Sequence, residues 1–154
     1  MSRNRLFLLL LVYRIFQVMT TKRFLKELVY QVNGAAIEVH KALGPGLLES
    51  VYHQCMVEEL RLRKLKFISE MVVSVDYKGV EVNARLRCDF FVEDCLVVEL
   101  KAVEHVLPVH EAQLITYLKL LDAPMGLLIN FNVSHIYKEG QQTYVSERYR
   151  EISN

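Results

Sequence analysis

The chain has almost no excess of charge of either sign. Nineteen Lys and Arg stand against 18 Asp and Glu, a formal net charge of +1. No overall field is available to hold a polyanion, so a charge-driven nucleic-acid coat protein is excluded and any phosphate binding must come from a local patch. Cysteine is scarce too. Cys55, Cys88 and Cys95 are an odd number at spacings of 33 and 7, which match neither a disulfide framework nor a zinc knuckle. Free, mostly buried thiols in a reducing compartment are the reading, hence a cytoplasmic protein. A phosphate-binding loop is missing: Gly44 and Gly46 are followed by no Lys-Ser/Thr and serve to break a helix. So is a membrane span. The apolar run at residues 6–13 follows Arg3 and Arg5 like the start of a signal peptide, but Arg14 interrupts it and no small-residue cleavage site follows. A bilayer needs about 20 apolar residues. Met19 is the expected functional start, with residues 1–18 an upstream extension and 19–154 one domain.

What is present is a core. Of 154 residues 52% are hydrophobic, enough for one folded domain and too many for a disordered chain. Phe24, Leu25, Leu28, Val29, Val32, Ala35, Ala36, Val39 and Leu43 recur at three- and four-residue steps, predicting a helix capped by Thr20 or Thr21 and stopped by Gly44-Pro45-Gly46. A second helix is expected from near Leu47 to the basic run Arg61, Arg63, Lys64 and Lys66. Residues 67–77 and 80–92 then alternate as strands about a Lys78-Gly79 turn, and 95–101 is nearly all apolar, hence central. Pro108 opens a helix to Leu121, residues 125–131 form a further buried strand, and the tail from His135 reads as a weaker strand or hairpin. The order α-α-β-β-β-α-β predicts an α/β sandwich: a three-strand meander, a crossover helix and a fourth strand.

Three polar residues sit where a core pattern would not put them. Asp89 lies between Cys88 and Phe90, and Glu99 and Lys101 flank Leu100 at the end of the most hydrophobic strand. Charges are rarely buried unless paired or bound to a metal. Alternation puts Glu99 and Lys101 on one face and Leu100 on the other. A two-residue loop at Glu93-Asp94 would pair Asp89 with Val98, on the wrong face for Glu99, so a shared site requires an odd-length loop or a bulge. Two adjacent carboxylates repel unless a cation lies between them, and Mg²⁺ or Mn²⁺ satisfies both. Lys101 is then placed to hold the attacking water or to stabilise a phosphorane-like transition state. Spacing alone equally fits a plain Glu99–Lys101 ion pair with Asp89 in a turn.

G-L-L-E-S-V-Y (residues 46–52), R-C-D-F (87–90), V-V-E-L-K-A-V (97–103), Q-L-I-T-Y-L (113–118) and G-L-L-I-N-F (126–131) together resemble the GxxExxY protein family, a branch of the PD-(D/E)XK nuclease superfamily. The match runs in order over roughly residues 26–140. It implies a restriction-endonuclease-like αβββαβ sandwich, a mixed sheet flanked by helices, with an extra N-terminal helix. It implies Asp89 and Glu99 as metal ligands, the Leu100 carbonyl as a further oxygen, and Lys101 as the catalytic lysine. Glu49 matches the superfamily's helical acid, which completes or orients the metal shell. Gln113 and Tyr117 match its Q-x-x-x-Y element, one turn apart on a helix face.

The expected activity is metal-dependent phosphodiester hydrolysis in DNA, less so in RNA. The rival is a catalytically silent binding module acting with a partner such as a helicase or ATPase, and no membrane partner is expected. Tyr52 suits either orienting a site carboxylate or filling core. His110 suits either a scissile phosphate or the surface. His53 carries no assignment, Asn130 is read as capping a turn, and the basic run with Arg85 and Arg87 reads first as a solvated surface and second as a phosphate grip.

Overall fold

The computed structural model describes residues 5, 7–9, 11, 12 and 20–154. The start expected at Met19, and with it the boundary of the domain, lies outside the described residues.

The long amphipathic period becomes α1 (Lys22–Leu43). Thr21 caps it, its hydroxyl accepting from the Phe24 N–H at 3.0 Å, and Gly44 ends it at φ 68°, a left-handed conformation that favours glycine. Leu25, Leu28, Val32, Ala35, Ala36 and Val39 form its buried face. Phe24 and Leu43 fit the same period yet are 39% and 40% exposed. A 22-residue helix is about 33 Å long, longer than the six-residue strands it crosses, so its two ends overhang. The second helix, α2 (Glu49–Leu62), begins two residues later than expected. Tyr52 explains the delay: its hydroxyl donates to the Gly44 carbonyl at 2.6 Å and accepts from the Leu47 N–H at 3.1 Å, holding the connection out of helical geometry.

Next come β1 (Phe67–Tyr77), β2 (Val80–Val92) and β3 (Leu96–Lys101), then α3 (Pro108–Leu120) and β4 (Met125–Asn130). The tail makes a π-turn at Ile136–Gly140, β5 (Gln141–Val145) and the short α4 (Arg148–Glu151). The sheet order is β1-β2-β3-β4-β5, antiparallel except for β3 beside β4. β3 is therefore central, as its unbroken hydrophobicity required. One face sets Phe90, Val92, Leu96, Val98, Leu100, Leu127 and Ile129 against α1 and α2. The other sets Phe91, Val97 and Leu128 against Leu114, Tyr117 and Leu118 of α3. This is the mixed α/β sandwich expected, with α1 as the added N-terminal helix.

The seat of α3 depends on one missing side chain. A Cβ on Gly126 of β4 would lie 2.9 Å from Leu114 Cδ1 and 3.0 Å from its Cγ. Glycine here lets the helix carrying Gln113 and Tyr117 settle on the sheet. Gly126→Ala is expected to destabilise the fold by about 1–3 kcal/mol, the usual cost of overpacking. Urea denaturation of the two proteins checks this, and an unchanged midpoint would mean that Leu114 re-packs freely.

Candidate active site

The β2–β3 hairpin determines which residues can meet. Its ladder pairs Phe90 with Val98, Phe91 with Val97 and Val92 with Leu96, leaving a loop of three residues, 93–95. Glu93 and Asp94 both take left-handed φ, 49° and 53°. Lys66 pins this loop: its N–H donates to Glu93 Oε1 at 2.7 Å, its carbonyl accepts from the Glu93 N–H at 2.8 Å, and its ammonium pairs with Asp94. The loop length is odd, so Asp89 and Glu99 fall opposite one another at the next row.

At that row the regular ladder gives way. The Asp89 N–H donates to Glu99 Oε1 at 3.0 Å, and the Leu100 N–H donates to Asp89 Oδ2 at 2.7 Å. The β1–β2 ladder skips the same place, passing from Ser69–Phe90 to Met71–Cys88, and Glu70 takes a φ of 50°. Side-chain alternation breaks there as well. Phe90 packs toward α1 and α2, whereas Cys88 packs with Phe91 on the α3 side. Backbone held outside its common regions tends to gather at functional sites.

The electrostatics are those of crowded acids. Glu99 is only 4% exposed, and its carboxyl is pushed up to about 8, first by burial and then by the neighbouring Asp89 charge. Burial also raises Asp89, opposed by the Leu100 N–H and by the charges of His53 and Lys101. Glu49, at the first turn of α2, is raised by burial and by Asp89, with Lys101 pulling the other way. Three carboxyls in mutual electrostatic reach with raised affinity for protons lack positive charge. Such an all-oxygen donor set fits a hard divalent cation. Among the described residues no three His, Cys, Asp or Glu side chains converge as a ready cage. The core of the set is therefore the Asp89–Glu99 pair, with Glu49 near it.

The remaining expected residues have definite places. Lys101 ends β3 with its carbonyl accepting from the Phe131 N–H at 2.8 Å. Asn130 clamps the segment that follows: its amide donates to the Val103 carbonyl at 2.8 Å and accepts from the Val103 and Asn132 N–H groups. Leu100 points its side chain into the α1/α2 core, opposite to Glu99. Gln113 donates to the Tyr117 hydroxyl at 3.1 Å, and that hydroxyl donates to the Arg87 carbonyl at 2.9 Å, two residues before Asp89. Tyr117 thus ties α3 to β2, whereas Gln113 is exposed. Tyr52 is core: fully buried and stacked on Phe131, ring centroids 4.4 Å apart. His110 accepts on Nδ1 from the Leu107 N–H at 3.1 Å, and its ring lies within electrostatic reach of Glu49. Three of the four cations of the basic run pair with acids, Arg61 with Glu58, Arg63 with Glu59 and Lys66 with Asp94, and the Arg61 and Lys66 side chains stay largely exposed.

One neighbour carried no sequence assignment. His53 follows Glu49 by four residues on α2, one turn on the same face, and its charge acts on both Glu49 and Asp89. That spacing was the available signal; no metal-ligand pattern marked it.

The raised carboxyls make stability depend on pH with a definite sign. Glu99 holds its proton in the folded state up to about 8 but releases it near the ordinary value of 4.5 when unfolded. The folded state binds more protons across that window, so the stabilisation is full below about pH 4.5 and is lost as pH rises through about 8. Urea midpoints of the metal-free protein should fall from about pH 5 to about pH 8 relative to those of Glu99→Gln. Parallel pH profiles for the two proteins would contradict it.

Comparison with known proteins agrees with the fold. A family model described as the PD-(D/E)XK nuclease superfamily matches residues 26–143, from within α1 into β5. Nucleases of this superfamily generally use divalent metal ions. No curated protein and no solved structure matches the chain. No helix among the described residues is long and apolar enough to cross a membrane. The family match takes in β1 to β4, α2, α3 and most of α1, and this chain belongs to the PD-(D/E)XK nuclease superfamily.

Proposed function

We propose that the protein is a metal-dependent nuclease of the GxxExxY type that hydrolyses phosphodiester bonds in DNA, and in RNA less readily. One observation carries the reading: the half-buried Asp89 and the buried Glu99 stand side by side with too little positive charge, and Lys101 follows on the same strand. Asp89, Glu99 and the Leu100 carbonyl would hold Mg²⁺ or Mn²⁺, with Glu49 completing or orienting the shell. Bound there, the ion supplies Lewis-acid stabilisation of a phosphoryl oxygen and favours ionisation of the attacking water.

The chain's own residues do the rest. Lys101, whose charge reaches all three carboxyls, would orient the water and offset charge developing on the phosphoryl group. Gln113 lies exposed on α3 to address the substrate, while Tyr117 keeps that helix registered to the strand of Asp89. Arg85 and Arg87 are exposed on that same strand and supply a local grip on phosphates. Arg61, Arg63 and Lys66 are paired with acids, and the chain as a whole carries a net charge of only +1. This favours delivery of the nucleic acid by a partner protein such as a helicase or ATPase. Three free thiols accord with a cytoplasmic setting.

Purified protein with supercoiled, linear and single-stranded DNA and with RNA tests the reading, in Mg²⁺ or Mn²⁺ beside Lys101→Ala. The substitution should lower the cleavage rate by about 10²–10³, the loss seen when one transition-state partner is removed. Cleavage undiminished in Lys101→Ala would contradict this mechanism. Metal binding without cleavage of any substrate would favour the silent binding module.

A further inference from the structure

We propose that His53 is a positioning residue of the site: it holds the backbone of Asp89 in place independently of the carboxylates. The proposal rests on the metal-nuclease reading above and adds to it a group outside the expected ligand and lysine set.

The geometry joins three elements. From α2, His53 lays its ring on Phe90 of β2, centroids 4.5 Å apart and planes 12° apart. Its Nε2 lies 3.4 Å from the Asp89 carbonyl oxygen and 3.3 Å from Ser69 Oγ of β1. A carbonyl only accepts, so the contact with Asp89 uses the Nε2–H tautomer. Phe67 meets the other side of this cluster edge-on, 5.8 Å from Phe90, so the imidazole sits against a fixed aromatic wall.

The need for such a contact follows from the interrupted ladder. Asp89 falls at the row that the β1–β2 ladder skips and where the β2–β3 ladder stops, so side chains stand in for regular strand pairing there. Three side-chain hydrogen bonds hold it: Glu99 on its N–H, the Leu100 N–H on its carboxylate, and His53 on its carbonyl. The first two use carboxylates that a bound cation would also need. The third uses neither. When charge at the two acids changes, His53 still fixes where the Asp89 side chain starts from. It also couples that point to α2, since Glu49 lies one turn away on the same helix.

The experiment uses the full chain and Mn²⁺ alone as probe, titrated by calorimetry against wild type, His53→Phe and His53→Gln, with thermal melts of each. Phe keeps a ring against Phe90 but removes the N–H; Gln keeps an N–H at similar reach. His53→Phe should weaken Mn²⁺ binding by about tenfold to a hundredfold, the usual cost of losing a group that orients a ligand, with a melting midpoint close to wild type. His53→Gln should recover most of that affinity. Affinity in His53→Phe equal to wild type overturns the proposal, and so does a loss that merely tracks a fall in stability and that Gln does not reverse. Amide hydrogen exchange without metal provides a separate readout. His53→Phe should speed exchange at Asp89 and Leu100 while leaving Val97 and Val98 as they were. If wild type binds no Mn²⁺, the metal reading fails alone and the exchange pattern decides the role of His53; unchanged exchange at Asp89 and Leu100 rejects it.

Discussion

The structure turns on two carboxylates that face one another across the β2–β3 hairpin at the row where the ladder stops. Glu99 accepts from the Asp89 N–H and Asp89 accepts from the Leu100 N–H, so each acid replaces a missing strand bond beside the other. Burying the Glu99 carboxylate already costs free energy, and the half-buried Asp89 beside it adds to that cost because their charges repel. A hydrophobic sandwich gains nothing from this arrangement. Its sense lies in what a divalent cation would recover there.

The surrounding sequence works to hold that unfavourable row in place. Lys66 fixes the three-residue loop that sets the register, and a loop one residue shorter or longer would turn Asp89 to the opposite face. Tyr52 clamps the Gly44–Leu47 connection and so determines where α2 starts and where Glu49 stands. Gly126 admits Leu114, which seats α3, and Tyr117 then bonds β2 at Arg87. Asn130 ties β4 to the segment that follows Lys101. Anchored by the buried Tyr52, Leu114, Tyr117 and Asn130, these contacts let a single row depart from regular strand geometry without loss of the fold.

Much of the architecture was legible in the sequence because periodicity reports burial directly. The stripe from Leu25 to Val39, the alternation of β1 and β2 and the unbroken apolar run of β3 each named an element, and crossover handedness left few ways to join them. The odd hairpin loop was legible for a different reason: two acids and a lysine in apolar strands made sense only if they met. Helix ends were less legible, since the start of α2 is set by the Tyr52 hydroxyl, a contact between positions five and eight residues apart. His53 was not legible as a site residue. Its role depends on the Phe90 ring and the Asp89 carbonyl, and backbone atoms leave no mark in a sequence. The flip of side-chain direction at Glu70 and Asp89 was hidden as well, because a left-handed glutamate looks like any other strand residue.

Proton release on metal binding follows directly from the crowded pair. Because Glu99 keeps its proton up to about 8, a cation that binds the pair near neutral pH must displace it. Mn²⁺ titrations at about pH 7, run by calorimetry in buffers of different ionisation enthalpy, count the protons released. One saturable site that releases roughly one proton and is lost in Glu99→Gln is expected. Binding that releases no proton, or that survives Glu99→Gln unchanged, would contradict it.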